Sequence, residues 1–119
     1  MAVIDLVAAL EQLGGREALL AKVLAKFGQT GPAALASARE QWQAESWEEV
    51  ARTAHSMKGT AGYLFATALR QSSIDLQQAV EALGKEGAGA AERGAAEGLL
   101  KAWEAALQEA IDAVAAAAA

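Results

Sequence analysis

Apolar residues recur along this chain at three- and four-residue spacings, the period of helices that bury one face. The stretch from about Val3 to Leu13 follows that period and meets Gly14-Gly15, a normal helix terminator. Leu20, Val23, Leu24 and Phe27 mark a second helix from about Arg16 that is expected to end at Gly28. Thr30-Gly31-Pro32 then reads as the start of a third, because proline is tolerated in a first turn where its missing N–H costs nothing. Leu35, Ala38 and Trp42 form its inward stripe. Ser46-Trp-Glu-Glu49 has the form of a capping box, and the helix it opens continues to about Leu64. Leu69, Leu76, Val80 and Leu83 share one face of a fifth helix from about Thr67. After a glycine-rich connection, Gly84 to Gly89 with Lys85 and Glu86, the last helix starts near Ala90 and buries Leu99, Leu100, Trp103, Leu107, Ile111 and Val114.

These elements predict an all-α fold. Short connections favour antiparallel neighbours, so the four later helices are expected as an antiparallel up-down four-helix bundle, with the two short N-terminal helices packed as a cap. Composition agrees: the chain is rich in alanine, poor in β-branched residues and has a single proline among 119 residues. That length fits one domain spanning residues 1–119. The alanine run 115–119 is read as a helix end or a disordered tail and is given no function.

Charge and residue inventory then exclude several classes of function. A net charge of −5 repels a phosphate backbone, so nucleic acid is not expected as a partner. No apolar run approaches the roughly 20 residues needed to cross a bilayer, and Met1 to Asp5 lacks the basic and apolar segments of a signal peptide. A cytoplasmic location is expected. The absence of cysteine removes disulfides, thiolate metal sites and a cysteine nucleophile. There is no P-loop and no acidic metal cluster, so no cofactor or metal is expected on this chain.

The one histidine is the candidate for chemistry. At about 100° per residue, Val50, Ala54, Met57, Ala61, Leu64 and Phe65 fall within about 60° of one line, the core stripe of their helix. His55 lies about 130° from its centre, so it is expected to face solvent. Ala51, Arg52, Lys58, Gly59 and Gly62 share its face. Glycine inside a helix costs about 0.5–1 kcal/mol relative to alanine, so two of them beside one imidazole call for a reason. Bare backbone would let another protein approach the ring. A neutral imidazole is a competent nucleophile near neutral pH. Phosphoryl transfer needs mainly positioning and neutralisation of the equatorial oxygens, which Lys58 could supply one turn away. Arg52 is read as a solvated charge, and Trp42, Trp47 and Trp103 as core or helix-junction residues.

Ala54-His-Ser-Met-Lys-Gly59 resembles the signature of histidine phosphotransfer (HPt) domains, in which alanine-histidine is followed by an apolar residue, lysine and glycine. Ile4-Asp-Leu6, Leu13-Gly-Gly15, Leu24-Ala-Lys-Phe27 and the leucine-bearing helix after the motif are similar to the family in order and spacing, over roughly residues 3 to 112. The resemblance implies that His55 is the phosphoacceptor, that Lys58 sits near the phosphoryl group and that Gly59 keeps the ring accessible. It also implies a glutamine on the next helix that orients the ring, a place that Gln77 occupies, with Gln78 as its competitor. The family commonly has glycine where this chain has Phe65; because Phe65 falls on the core stripe, altered packing is expected there. The implied partner is a receiver domain of a response regulator or hybrid sensor histidine kinase, with Mg²⁺ on that receiver, and the implied role is a monomeric phosphoryl carrier without its own ATP site. The competing class is a helical interaction module that docks a receiver or kinase without being phosphorylated. An enzyme with its own active site ranks third, because one histidine with no converging acids offers little machinery.

Overall fold

The computed structural model describes residues 3–85 and 87–118, and these form five α-helices with no strand among them. Helix α1 covers Leu6–Gln12, α2 Glu17–Gln43, α3 Trp47–Tyr63, α4 Thr67–Leu83 and α5 Ala90–Ala118. Glu86 of the expected connection, Ala119 of the alanine run and Met1-Ala2 lie outside the described residues. Helix α2 packs against α3 and α5, and α4 also packs against α3 and α5, so the four long helices close a ring around one core. Short α1 touches α2, and the Asp5 N–H donates to Leu64 O at the far end of α3 (3.1 Å). The Asp5 carboxylate caps α1 by accepting from the Ala8 N–H at 3.0 Å.

The expectation of two short N-terminal helices is corrected by α2. It runs unbroken for 27 residues through Gly28, Gly31 and Pro32. Each of these residues is a local helix breaker, but each has a compatible place. Gly31 is buried against α5: a Cβ there would lie 3.0 Å from Ile111 Cγ1 and 3.2 Å from the Phe27 ring. Glycine is what allows the two longest helices to approach. Pro32 faces solvent, so the Gly28 carbonyl that loses its backbone donor is on the wet side of the helix. Leu24, Phe27, Leu35 and Ala38 continue one buried stripe across the predicted break. Tertiary packing outweighs the local signals.

Two further expectations fail at helix ends. Ser46 is the N-cap of α3, but its side chain makes no capping hydrogen bond. The connection 44–46 is so short that Ser46 also closes α2, its N–H donating to Gln41 O at 2.9 Å. The donor that Glu49 would have reached back to is therefore already used. Phe65 is not on the core stripe: α3 ends at Tyr63, and Phe65 is exposed with φ +52°. The helix closes by a paired turn in which Ala66 N–H donates to Ala61 O (2.9 Å) and Phe65 N–H to Gly62 O (3.3 Å). The residue at this position must adopt the left-handed conformation that glycine prefers.

The remaining stripes are found mostly as expected, with Leu83, Leu99 and Ile111 only half-buried at their edges. Val50, Ala54, Met57, Ala61 and Leu64 are buried, as are Leu69, Leu76 and Val80 of α4 and Leu100, Trp103, Leu107 and Val114 of α5. Trp103 is fully enclosed, and its Nε1–H donates to Ser73 Oγ (3.0 Å), which donates to Leu69 O (2.8 Å). Those two bonds satisfy the one buried indole and the one buried hydroxyl among the described residues together. Trp42 and Trp47 meet edge to face at 4.9 Å across the α2–α3 junction, with the Arg93 guanidinium 5.5 Å from the Trp47 ring.

Candidate functional site

The core stripe of α3 determines where His55 can be. With Ala54 and Met57 enclosed, the ring one position after Ala54 emerges at the side of the bundle, and His55 is exposed. Helix α4 runs beside it. There Leu76 and Val80 are buried, which brings Gln77, half-buried, to the edge that borders α3. His55 Nδ1 lies 3.3 Å from Gln77 Oε1. Because an amide oxygen only accepts, this contact requires the proton on Nδ1 and leaves the lone pair on Nε2. Gln78 is exposed and takes no such contact.

The other predicted residues surround this pair unequally. Gly59 and Gly62 are exposed, and a Cβ at either would meet nothing within 4 Å. The packing of the chain itself therefore does not demand glycine at these positions, in contrast to Gly31. Gly28, Gly94 and Gly98 are as open, so openness alone does not mark a site; Gly59 and Gly62 are set apart by sharing the face of His55. Lys58 is half-buried and has no carboxylate within ion-pair distance among the described residues. Arg52, as expected for a solvated charge, makes only a long exposed contact with Glu48 (3.4 Å). Together Trp47, Ala51, His55, Gln77, Val80 and Glu81 line an open cleft between α3 and α4.

One neighbour was not singled out by sequence. Glu81, one turn after Gln77, accepts a hydrogen bond from Gln77 Nε2 at 2.9 Å. The i,i+4 spacing of glutamine and glutamate on a helix was the available signal. Among the described residues no group of three or more potential ligands could hold a metal ion.

The Hpt domain family matches residues 22–117, which includes all of α3 and α4 and most of α2 and α5. The chain belongs to the Hpt domain family. No curated protein and no solved structure gave a match. Membership in the Hpt family implies a phosphotransfer role in two-component signalling, as a carrier rather than a kinase. Hpt domains interact with receiver domains in phosphorelays. No helix of the described residues is long and apolar enough to cross a membrane.

Proposed function

We propose that this chain is a phosphoryl carrier of a two-component phosphorelay, accepting the group on His55 Nε2 and exchanging it with receiver aspartates. The observation that carries the reading is an exposed imidazole whose Nδ1 faces Gln77 Oε1, which leaves Nε2 as the nucleophile. In the accepting step Nε2 attacks the phosphorus of an aspartyl phosphate. The N–P bond forms, the O–P bond breaks, and the aspartate leaves as a carboxylate with the bonding pair. The Nδ1 proton stays on the ring and is held by Gln77. The reverse step returns the group to another aspartate.

The remaining roles follow from this chemistry. Lys58, three residues after His55 on α3 and without an ion pair among the described residues, is assigned the neutralisation of the phosphoryl oxygens. Gly59 and Gly62 leave room for the receiver, which brings the Mg²⁺. Connections 44–46 and 64–66 return each helix along the previous one, supporting an antiparallel up-down bundle of α2–α5 with α1 as its cap. All five elements act as one domain, because α2–α5 share one core and Ile4, just before α1, joins it. A cytoplasmic monomer fits the described surface, where Val7, Tyr63 and Phe65 are the large apolar residues left exposed.

The test is incubation with a phosphorylated receiver domain and Mg²⁺, followed by a search for acid-labile, base-stable phosphate. Labelling of the native chain and none of His55→Gln is expected. Label retained in His55→Gln refutes the assignment. Absence of label from the native chain, with receiver binding intact, identifies a docking module that carries no phosphate.

A further inference from the structure

The hydrogen bond between Gln77 and His55 works only if the amide presents its oxygen, and an amide has two faces of nearly equal shape. Rotated by half a turn, Gln77 would direct its NH₂ at Nδ1. That group donates, so the ring would have to carry its proton on Nε2 instead, and the atom that must attack phosphorus would have no free lone pair. Nothing within His55 or Gln77 themselves chooses between these two states.

We propose that Glu81 makes the choice: it is a positioning residue that sets the tautomer of His55 through the Gln77 amide. Glu81 Oε1 lies 2.9 Å from Gln77 Nε2. An ionised carboxylate has acceptors and no donor, so it holds the NH₂ and rejects the amide oxygen. With one end of the amide fixed by Glu81, the other end can only offer Oε1 to His55 Nδ1, 3.3 Å away. The order Glu81–Gln77–His55 is thus a directed relay in which each link determines the polarity of the next. Its three members come from two adjacent helices, one turn of α4 facing the middle of α3.

This inference rests on the assignment of His55 as phosphoacceptor, but its main readout does not. Nitrogen-15 shifts of the neutral His55 ring report the tautomer without any phosphate. The native chain is expected to show mainly the Nδ1–H form. In Glu81→Ala the amide is released, and the Nε2–H population should rise several-fold. Glu81→Lys replaces the acceptor with a donor and should make Nε2–H the majority form. Rescue provides the decisive arm. In Gln77→Glu/Glu81→Ala both oxygens at position 77 accept, so no anchor is needed and the Nδ1–H form should return.

Phosphorylation by a labelled receiver should fall in Glu81→Ala in step with the lost Nδ1–H fraction and recover in the double variant. A ring tautomer unchanged in both Glu81→Ala and Glu81→Lys would overturn the proposal even if His55 takes up phosphate. A tautomer that shifts as expected on a chain that never labels would instead retain the relay and remove the phosphoacceptor assignment. Glu81 is exposed on α4, and matching circular dichroism of the variants would establish that the fold is unaltered.

Discussion

A single residue can be right for its site and wrong for its backbone, and Phe65 and Gly59 show the two sides of that conflict. Phe65 holds φ +52° at the end of α3, a conformation that disfavours any residue with a Cβ. Its ring is more than a third exposed, so little packing offsets the strain. Phe65→Gly should therefore stabilise the chain by about 0.5–1.5 kcal/mol in urea denaturation; a loss of stability would show that the ring contributes more than its exposure suggests. Gly59 has the opposite bias. A methyl group there meets nothing inside the chain, so Gly59→Ala should gain about 0.5–1 kcal/mol of helix stability. It should nevertheless slow transfer from a receiver, since the added group stands on the face of His55. Equal transfer rates in the two proteins would assign Gly59 no part in access. The side chain of His55 was legible from sequence because 100° steps relate it to five buried residues on the same helix. The same arithmetic misplaced Phe65, because periodicity assumes that the helix continues and the chain had already turned.

Helix ends and helix continuity were the least legible features, and both were decided by partners distant in sequence. Gly28, Gly31 and Pro32 look like a boundary when read locally. Only Ile111, on the last helix, reveals that Gly31 is a contact between helices. The capping box expected at Ser46 was displaced because its backbone donor closes the preceding helix. A related device appears at the start of α5, where Glu92 Oε2 accepts from the Gly89 N–H at 3.0 Å. The backbone hydrogen bonds of Glu92 itself and of Gly89 hold the Glu92 carboxyl below its ordinary pKa of 4.5. A carboxyl lowered in the folded state contributes its stabilisation above the unfolded value and loses it as pH falls through the folded one. The first turn of α5 should thus be intact near neutrality and loosen in acid. In an NMR titration the Gly89 amide proton should shift with a midpoint below 4.5, and the dependence should vanish in Glu92→Ala. A midpoint at or above 4.5 would mean that the carboxylate does not cap this helix in solution.

The whole molecule is a rod of 49 × 21 × 20 Å with His55 on the side rather than in the core. That placement constrains how the chain can serve as a carrier. A group that is received and returned by the same site must be bound with little free energy spent on reshaping the protein, because each 1.4 kcal/mol of rearrangement alters the transfer equilibrium about tenfold. The core offers no route for such reshaping. Ala54 and Met57 beside His55 are closely packed, and Trp103, Ser73 and Leu69 tie α4 to α5 by hydrogen bonds that do not reach the site. New contacts made by a phosphoryl group on His55 would be surface contacts with groups such as Lys58, which contribute about 0–1 kcal/mol. Phosphorylation should accordingly move the melting temperature by no more than roughly 5 °C, and leave amide exchange in the centres of α2, α4 and α5 unchanged. A larger shift, or protection that changes along α5 on the far side of the bundle, would reveal a switch in which the core senses the phosphate. The carrier reading requires instead that the signal reside in the phosphoryl group alone, with the bundle presenting the same surface before and after it arrives.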